Sequence, residues 1–445
     1  METIAAIATS HGIGSIAVIR LSGPNSLNIA KKISSKDNFP PRYATLTTLK
    51  NSLNEIIDES IVIYFKAPNS FTGEDIVEFQ CHGGIVVAQM ILDEILKHEA
   101  RLAQPGEFSK RAFLNGKIDL SEAEAIAKLI ETKSIDAAKV LTRQMKGEVK
   151  EFVANVRENL IEALAFVEVN IDYAEEDLPL NLLEQIQKKL ENLTQELQNV
   201  YESSLRREGL INGFKVAIVG KPNVGKSSLL NGLLNFDRAI ISDIAGTTRD
   251  TIEEEIRIGT HLIKIVDTAG IREASDSIEQ IGIERSKQAI EDSDIVIAMF
   301  DNSRVFDIED QKILELLESF KDDKEILYTL NKCDLERKFD VSYFKESFIE
   351  LDCKRENTSL VRQLENILDK SNHEDTLLLT SKRQMEAVKV AYEAILESIG
   401  LLSDGELELF AFNLNAAIQS ISSISKNFER DEILDKMFGN FCLGK

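Results

Sequence analysis

The segment from Gly220 to Ser227, with the sequence GKPNVGKS, has the composition of a loop that binds phosphate groups. Two glycines separated by four residues are followed by Lys226 and Ser227, which is the spacing of such a loop. Glycine lets backbone N–H groups turn toward an anion because no Cβ stands in the way. The Lys226 ammonium can neutralise the β- and γ-phosphates of a nucleotide, and the Ser227 hydroxyl can bind Mg²⁺. Taken alone, the pattern could also be a chance match in a glycine turn.

The residues on either side of this loop favour the arrangement of strand, loop and helix that phosphate binding needs. Residues 214–219 form a short β-branched run, which is typical of a buried parallel strand. Residues 228–234 have the apolar spacing of a helix. The N-terminus of that helix would add a partial positive charge beside the phosphates.

A second motif consists of Asp267, Thr268, Ala269 and Gly270 and follows a strand predicted over residues 261–266. Ligands bind at the carboxyl ends of the strands in an α/β sheet. We therefore expect the Asp267 carboxylate to reach the Mg²⁺ site and the Gly270 N–H to contact a γ-phosphate.

A third motif, Asn331, Lys332, Cys333 and Asp334, follows a strand predicted over residues 325–330. The Asp334 carboxylate can accept hydrogen bonds from N1–H and the 2-amino group of guanine, and adenine offers neither in that geometry. The third motif therefore predicts a guanine nucleotide. In this order, the three motifs resemble those of the translation-factor-like GTPases.

Length and composition limit the class of protein. The chain has 445 residues, of which 43% are hydrophobic and 29% charged, which is ordinary for a soluble globular protein of two or three domains. The net charge of −23 argues against a general nucleic-acid coat, because phosphate contacts need clustered Lys and Arg. Any RNA contact must be local or shared with a partner.

The four cysteines are scattered and lack CxxC spacing, so neither a disulfide framework nor a zinc site is expected. The N-terminus has no basic region of the signal-peptide type, and no apolar run reaches about 18 residues. We therefore expect a cytoplasmic protein with no membrane partner.

The pattern along the chain predicts a multidomain protein with α+β and α/β parts. Strands are expected at 3–8, 15–21, 43–49, 56–65 and 76–80, and a helix at 85–98. From residue 120 helical spacing persists to about 207 with a break at 172–179, and helices resume at 381–399, 406–423 and 429–438. Neither helical part forms a complete bundle, so we expect the two to pack together as one discontinuous domain with the nucleotide domain inserted. The predicted domains are 1–118, 119–210, 211–372 and 373–445.

Residues 104–120 form a second distinctive stretch. Arg101, Lys110, Arg111 and Lys117 face only Glu107 there, which makes a basic island in an acidic protein. A capped turn that enters the helical domain is the simpler interpretation. The following helix is predicted to begin with Ser121 as N-cap and Glu124 at the capping-box position.

Over essentially its whole length the chain resembles the MnmE (TrmE) family, the GTPases of tRNA wobble-uridine modification. GTPases of ribosome assembly share the central motifs but not the N-terminal domain or the tail. The resemblance rests on PGEFSKRAFLNGKIDLSEAEA (105–125), GKPNVGKSSLLN (220–231), IAGTTRD (244–250), DTAGIRE (267–273) and FCLGK (441–445).

The resemblance implies a Ras-like P-loop GTPase domain. Mg²⁺ binding is then expected at Ser227 and Thr248. Residues expected to bind GTP are Asn223, Val224, Gly225, Lys226, Ser227, Ser228, Ser242, Asp243, Ile244, Ala245, Gly246, Thr247, Thr248, Asp267, Thr268, Ala269, Gly270, Asn331, Lys332 and Asp334.

Hydrolysis needs compensation of charge in the transition state. Many small GTPases have a Gln after DTAG, whereas Ile271 stands here. The resemblance implies a K⁺ ion bound where two GTPase domains meet in a homodimer, with Glu279 as the acid that orients water. On the residues alone, Glu279 is one exposed Glu among many, and Arg249 and Arg272 could also act. The expected K⁺ ligands are Asn223, Ser242, Ile244 and Thr247.

The N-terminal domain is similar to folate-binding domains. The resemblance implies that Arg20, Glu78, Lys117 and the terminal Lys445 contact 5-formyltetrahydrofolate or a related reduced folate. Simpler interpretations are that Arg20 closes a strand, Glu78 lies on a polar strand face and Lys117 lies in a turn. Cys442 could be a functional thiol or a packed one, and the tail fits a prenylation box poorly.

One loop departs from the family pattern. Where the family usually has a Ser-Ala-Lys-like loop against guanine, this chain has residues 352–354, Asp-Cys-Lys. Base contacts from that loop are therefore open, although Asp334 suffices to select guanine.

The sequence thus predicts the GTP-hydrolysing component of a tRNA-modifying complex. With an FAD-dependent partner of the MnmG (GidA) type, in a heterotetramer or larger assembly, it would add an aminomethyl or carboxymethylaminomethyl group at C5 of the wobble uridine. The alternatives are a non-catalytic switch of the ribosome-assembly type, which would not bind folate, and a folate-dependent methyltransferase that acts without the flavoprotein.

Overall fold

The computed structural model describes residues 2–10, 12, 14–172, 181–238, 254–266, 279–344, 346–353, 357–370, 377–425, 438–439, 441 and 444. The chain divides into two compact units. The first comprises Met1–Ile130, Arg143–Leu193 and Glu386–Lys445, and the second Glu131–Thr142 and Thr194–Met385.

The first unit contains a six-stranded sheet in the order β3-β4-β5-β2-β1-β6. Neighbouring strands are antiparallel except β1 and β6, which are parallel. The strands are β1 (Thr3–Ile7), β2 (Ile16–Ser22), β3 (Thr45–Lys50), β4 (Ile56–Phe65), β5 (Ile76–His82) and β6 (Ala100–Leu102).

Two helices, α1 (Ser26–Ile33) and α2 (Ile85–Leu96), pack against this sheet. Helix α2 buries Ala88, Ile91, Leu92 and Ile95, a spacing that puts all four side chains on one helix face. They join a core with strand residues such as Phe79. The predicted strands 3–8, 15–21, 43–49, 56–65 and 76–80 are confirmed within a few residues. The sequence prediction missed α1, which follows turn residues, and β6, which has only three residues.

The residues expected to form a capped turn instead form helix α3 (Glu107–Leu114). Gly106 precedes it with φ of 66°, and a Cβ there would lie 2.2 Å from the Phe438 carbonyl oxygen. Only glycine therefore permits this approach of the C-terminal tail.

Helix α4 (Leu120–Glu131) begins two residues earlier than a helix with Ser121 as N-cap would. Asp119 and Glu122 form its capping pair: the Glu122 N–H donates to Asp119 Oδ1 at 2.8 Å, and the Asp119 N–H donates to Glu122 Oε2 at 2.7 Å. The prediction of Ser121 as N-cap was wrong, because Leu120 is buried beside Phe438 and starts the helix.

Helices precede and follow, along the chain, the residues that form the second sheet described below. Helix α6 (Glu148–Asp172) packs along α14 (Leu407–Ser425), and α14 buries Phe410, Leu414, Ala417 and Ile421 on one face. The prediction that the two helical parts pack together is therefore confirmed. The expected helix at 429–438 lies almost entirely outside the described residues. These helices are α5 (Ile135–Met145), α6 (Glu148–Asp172), α7 (Asn181–Arg206), α8 (Glu208–Asn212), α13 (Lys382–Asp404) and α14 (Leu407–Ser425).

The second unit contains a six-stranded sheet in the order β12-β11-β10-β7-β9-β8. All pairs are parallel except β8 and β9, which are antiparallel. The elements of this domain are β7 (Phe214–Gly220), α9 (Lys226–Arg238), β8 (Glu254–Ile258), β9 (His261–Val266), α10 (Glu279–Glu291), β10 (Ile295–Asp301), α11 (Ile308–Glu318), β11 (Glu325–Asn331), β12 (Ile349–Glu350) and α12 (Thr358–Lys370).

Strand β7 is buried on both faces. Val216 and Ile218 join one core, while Ala217 and Val219 join the other. A strand covered on both faces needs a continuous apolar run rather than alternation, which residues 216–219 have. Among the described residues, no helix is long and apolar enough to cross a membrane.

Candidate nucleotide site and N-terminal site

The loop between β7 and α9 is shaped by two glycines. Gly220 has φ of 155° and Gly225 has φ of 113°. A Cβ on Gly220 would lie 2.5 Å from the Met299 carbonyl oxygen, and one on Gly225 would lie 2.2 Å from Asn331 Nδ2. Both positions need glycine because neighbouring strands approach the loop closely.

Lys226 is the first residue of α9, and its ammonium is held over the loop. Its Nζ donates to the carbonyl oxygens of Gly220 at 2.7 Å and Lys221 at 2.9 Å. Burial lowers the pKa of Lys226. A cation in this partly desolvated position attracts phosphate more strongly than one in water would.

Asn331 joins three segments of the nucleotide domain. Its side chain is buried at the end of β11. Asn331 Nδ2 donates to the Val224 carbonyl oxygen at 2.8 Å, and Oδ1 accepts from the Cys353 N–H at 3.2 Å. The phosphate loop, β11 and the loop after β12 are therefore held in one arrangement.

The loop that carries Asp334 is fixed by residues at the end of β10. Lys332 has φ of 62°, and its Nζ lies 2.5 Å from Asp301 Oδ2. Burial raises the pKa of Asp301, but the hydrogen bonds from Lys332 and Ser303 outweigh it and hold the pKa below its ordinary value. Asp334 itself is exposed, so its carboxylate can accept hydrogen bonds from a base.

The loop after β12 lies beside this site. The Cys333 N–H donates to the Leu351 carbonyl oxygen at 3.1 Å, and Cys353 contacts Asn331 through its backbone as described above. Burial raises the pKa of Cys353 to about 12, so its thiol is neutral. The segment 352–354, which departs from the family pattern, thus holds the Asn331 side chain by means of the Cys353 N–H. Its third residue, Lys354, lies outside the described residues.

Asn223 and Ser227 carry oxygen donors in exposed positions on the loop and at the start of α9. Asn223 adopts φ of 63°, a left-handed conformation that Asn tolerates better than most residues. Amide and hydroxyl oxygens suit hard cations such as Mg²⁺ and K⁺. Asn223 and Ser227, the described members of the two predicted ligand sets, therefore have the chemistry that these ions require.

Several predicted site residues lie outside the described part of the chain. Glu279 is the first residue of α10, and only its backbone is described. The residues outside the description are Ser242, Asp243, Ile244, Ala245, Gly246, Thr247, Thr248, Arg249, Asp267, Thr268, Ala269, Gly270, Ile271, Arg272, Cys442 and Lys445.

In the N-terminal domain, Arg20 on β2 and Glu78 on β5 are paired directly across the sheet. Arg20 Nε donates to Glu78 Oε1 at 2.8 Å. The Arg20 guanidinium carbon lies 6.0 Å from the centre of the Phe71 ring and 5.8 Å from that of Phe108. The Lys117 stem lies near Gly73, close in sequence to Phe71. The structure therefore brings Arg20 and Glu78 together beside two aromatic rings that the sequence prediction missed.

The two arginines of the basic island are paired with acids from other parts of the chain. Arg101 pairs with Glu2 and Glu107, and Arg111 pairs with Glu74 and Glu107. The expectation that these cations face only Glu107 was wrong, since Glu2 and Glu74 are 99 and 37 residues away from their partners. The two arginines of the island therefore belong to a folded ion-pair network, while Lys117 is exposed.

The sequence prediction also missed residues that support the nucleotide site. Asp301 is the last residue of the buried strand β10 and Asn302 follows it, the same signal that identified Asn331 and Asp334 at the end of β11. Asn302 is buried, and its Nδ2 donates to the Leu335 carbonyl oxygen at 3.2 Å. The sequence could therefore have identified Asp301 and Asn302 as candidate site residues, because they are polar residues at the end of a parallel strand.

Comparisons with known proteins agree with these features. The family model described as "GTP-binding protein TrmE N-terminus" matches residues 3–117, and the model described as "MnmE helical domain" matches residues 120–442.

Curated relatives named "tRNA modification GTPase MnmE" match along the whole chain. The relative from Sulfurimonas denitrificans is 61% identical over 444 residues, and the one from Aliarcobacter butzleri is 60% identical over 448 residues; each match covers 100% of this chain and 99% of the relative. The relative from Campylobacter jejuni (strain RM1221) is 54% identical over 444 residues and is covered completely.

Proposed function

Because the chain belongs to the MnmE family of tRNA modification GTPases, we propose that it hydrolyses GTP as one component of a tRNA-modifying complex. With an FAD-dependent partner of the MnmG type, in a heterotetramer or larger assembly, it adds an aminomethyl or carboxymethylaminomethyl group at C5 of the wobble uridine. The functional division of the chain is 1–118 for folate binding and dimerisation, 119–210 and 373–445 for the helical domain, and 211–372 for GTP hydrolysis.

The observation that supports nucleotide binding most directly is the pair of hydrogen bonds made by Asn331. They hold the phosphate loop through Val224 and the loop after β12 through Cys353. A bound nucleotide would contact one part of the site with its phosphates and another part with its base. These two parts of the site therefore need a fixed separation. Lys226 would bind the β- and γ-phosphates, and Asp334 would bind the guanine edge.

Hydrolysis would depend on oxygen donors around the γ-phosphate. Ser227 and Thr248 would hold Mg²⁺, and Asn223, Ser242, Ile244 and Thr247 would hold K⁺ between two GTPase domains of a homodimer. When bound, these ions supply the positive charge that an arginine finger supplies in other GTPases. Glu279 would accept a hydrogen bond from the attacking water and orient it.

The one-carbon site would lie in the N-terminal domain. The Glu78 carboxylate suits the aminopyrimidine edge of a reduced folate such as 5-formyltetrahydrofolate, and the Phe71 and Phe108 rings offer apolar surface for its pterin. Arg20, Lys117 and Lys445 would bind its glutamate tail. The tail of the chain reaches this domain, since a Cβ on Gly444 would lie 2.5 Å from the Ile7 carbonyl oxygen.

The proposal is tested by the rate of GTP hydrolysis in KCl and in NaCl at equal ionic strength. We expect the wild type to be faster in KCl by at least about tenfold, and Asn223→Ala to lose that difference, because its amide oxygen is a proposed K⁺ ligand. Asn199→Ala, on the exposed face of α7, is the matched control and should behave as the wild type does. Equal rates of the wild type in the two salts would reject the potassium mechanism.

A further inference from the structure

We propose that Lys221, the second residue of the segment Gly220–Ser227, is a positioning residue for GTP binding. Its ammonium fastens the phosphate loop to the N-terminus of α11, so that the loop keeps the conformation in which it receives phosphates. This inference rests on the proposed role of the segment in phosphate binding and adds a residue that acts through Lys226 rather than on the nucleotide.

The Lys221 ammonium is bound by two carboxylates. Its Nζ lies 2.7 Å from Asp307 Oδ2 and 2.7 Å from Asp310 Oδ2. The side chains of Lys221 and Asp310 are only 8% and 3% exposed. A lysine in a phosphate loop would be expected to lie in solvent or on the ligand, yet this one is directed into the protein.

The two carboxylates are themselves fixed by the backbone of α11. Asp307 is the N-cap: its Oδ1 accepts from the N–H groups of Glu309 at 2.9 Å and Asp310 at 3.2 Å. Asp310 Oδ2 accepts in return from the Asp307 N–H at 3.1 Å. This reciprocal capping box makes a preorganised receptor for one cation. Burial lowers the pKa of Lys221, but its hydrogen bonds to both carboxylates outweigh it, so the ammonium stays charged.

The backbone of Lys221 is part of the phosphate loop. Its carbonyl oxygen accepts from Lys226 Nζ at 2.9 Å and from the Val224 N–H at 3.4 Å. The carbonyl of Val224 is held in turn by Asn331. The loop is therefore fastened at two points, to α11 through Lys221 and to β11 through Val224.

A buried ion pair contributes little net stability, because desolvation offsets much of the attraction between the charges. Its stronger effect is geometric, since two fixed carboxylates accept the ammonium in one position only. Release of Lys221 would free the carbonyl on which Lys226 rests. Misplacement of binding groups by about 1 Å can cost on the order of a hundredfold in function.

The test is the affinity of Lys221→Met for fluorescent GDP, with Mg²⁺ present and well below the unfolding temperature. Met fills the volume of the lysine stem but cannot bind the carboxylates, so we expect the affinity to fall by about tenfold to a hundredfold. Lys221→Arg keeps the charge but changes the shape of the cation, so its affinity should lie between those of the wild type and of Lys221→Met. In steady-state hydrolysis, Lys221→Met should raise KM more than it lowers kcat.

Three further variants separate the possible outcomes. Lys215→Met removes an exposed lysine of β7 and should bind GDP as the wild type does. Lys226→Ala should lose GDP binding; if it does not, the proposed phosphate loop itself is wrong. Lys221→Met with Asp310→Asn leaves no unpaired charge at Asp310 and should recover thermal stability without recovering GDP affinity.

The inference is overturned if folded Lys221→Met binds GDP within about threefold of the wild type while Lys226→Ala does not bind. It is also overturned if the double variant regains both stability and affinity, because the pair would then act only on the fold. If neither Lys221→Met nor the double variant folds, the pair of Lys221 and Asp310 is needed for the stability of the fold. This result would also contradict a positioning role.

Discussion

Single residues in this protein act by connecting segments that are far apart in the chain. Asn331 holds Val224 and Cys353, and Asp301 holds Lys332. The side chains of Asn331 and Asp301 are buried, so water cannot take the place of their hydrogen-bond partners. Replacement of such a residue leaves the partner groups unsatisfied, which usually costs more than the net value of the hydrogen bond.

At Asn331 we expect two effects of one substitution. Asn331→Ala leaves the Val224 carbonyl and the Cys353 N–H without their partner, at a cost of about 1–3 kcal/mol for each group that water cannot reach. The temperature of unfolding should fall, and GDP affinity should fall with it because two loops of the site lose their common support. Thermal unfolding and GDP titration measure these effects. An unchanged GDP affinity would show that Asn331 does not organise the site.

At Glu78 we expect a loss of folate binding with little change of fold. Glu78→Gln keeps the shape of the side chain but removes the charge that faces Arg20 and the proposed pterin. Calorimetric titration with 5-formyltetrahydrofolate should show a Kd raised by about tenfold or more. Glu59→Gln, at an exposed position of the same sheet, is the control. Equal affinity of the two variants would place the folate elsewhere.

At the scale of elements, the N-terminus of α5 holds the turn between β8 and β9. The Thr260 carbonyl oxygen accepts from Ser134 Oγ at 3.0 Å and from the Ile135 N–H at 3.1 Å. The Thr260 hydroxyl donates to Asp136 Oδ2 at 2.5 Å. A helix that precedes the GTPase domain in sequence is thus bound to the edge of the GTPase sheet.

This contact predicts a stability difference between two similar substitutions. Thr260→Val removes the hydroxyl that Asp136 accepts from, and the Asp136 side chain is only 10% exposed. We expect a loss of about 1–2 kcal/mol in the free energy of unfolding. Thr142→Val, at an exposed position of α5, should change it by less than about 0.5 kcal/mol. Denaturant titration distinguishes the two, and similar values would mean that the turn is not held by this hydrogen bond.

Glu107, the first residue of α3, predicts a pH dependence. Burial raises its pKa, but hydrogen bonds from Arg101, the Gln104 N–H and Arg111 outweigh it and lower the pKa from 4.5 to about 2. A carboxylate with a lowered pKa contributes stability that is present above the unfolded value and is lost as the pH falls toward the folded one. The contribution of Glu107 should therefore decline between pH 4.5 and about 2.

The comparison of wild type with Glu107→Gln isolates this effect. At pH 7 the variant should unfold more readily, by on the order of 3 kcal/mol at most. At pH 3 the difference between the two proteins should be smaller, because most of the wild-type carboxyl is protonated in the unfolded chain while the folded protein still keeps it ionised. A difference that is the same at both pH values would contradict the assignment.

At the scale of the whole molecule, the proposed mechanism needs two chains. The K⁺ site would be completed only when two GTPase domains meet. The specific rate of GTP hydrolysis in KCl should therefore fall when the protein is diluted below its dissociation constant for self-association. Sedimentation of the same samples reports the oligomeric state. A rate per chain that stays constant on dilution to the monomer would reject the dimer mechanism.

The sequence by itself determined the parts of this protein that depend on local spacing. The glycines of the phosphate loop, the apolar run of β7 and the polar residues that end β11 are each contiguous, so periodicity and motif suffice to locate them. The packing of the two helical parts also followed, because neither carries enough apolar surface on its own.

Only the tertiary structure decided which distant side chains meet. Lys221 and Asp310 are 89 residues apart, and Asn331 and Val224 are 107 apart; no local pattern encodes such pairs. The same holds for Arg20 beside Phe71 and Phe108. In each case, the packing of the whole chain decides which partners a polar group meets once it is removed from water.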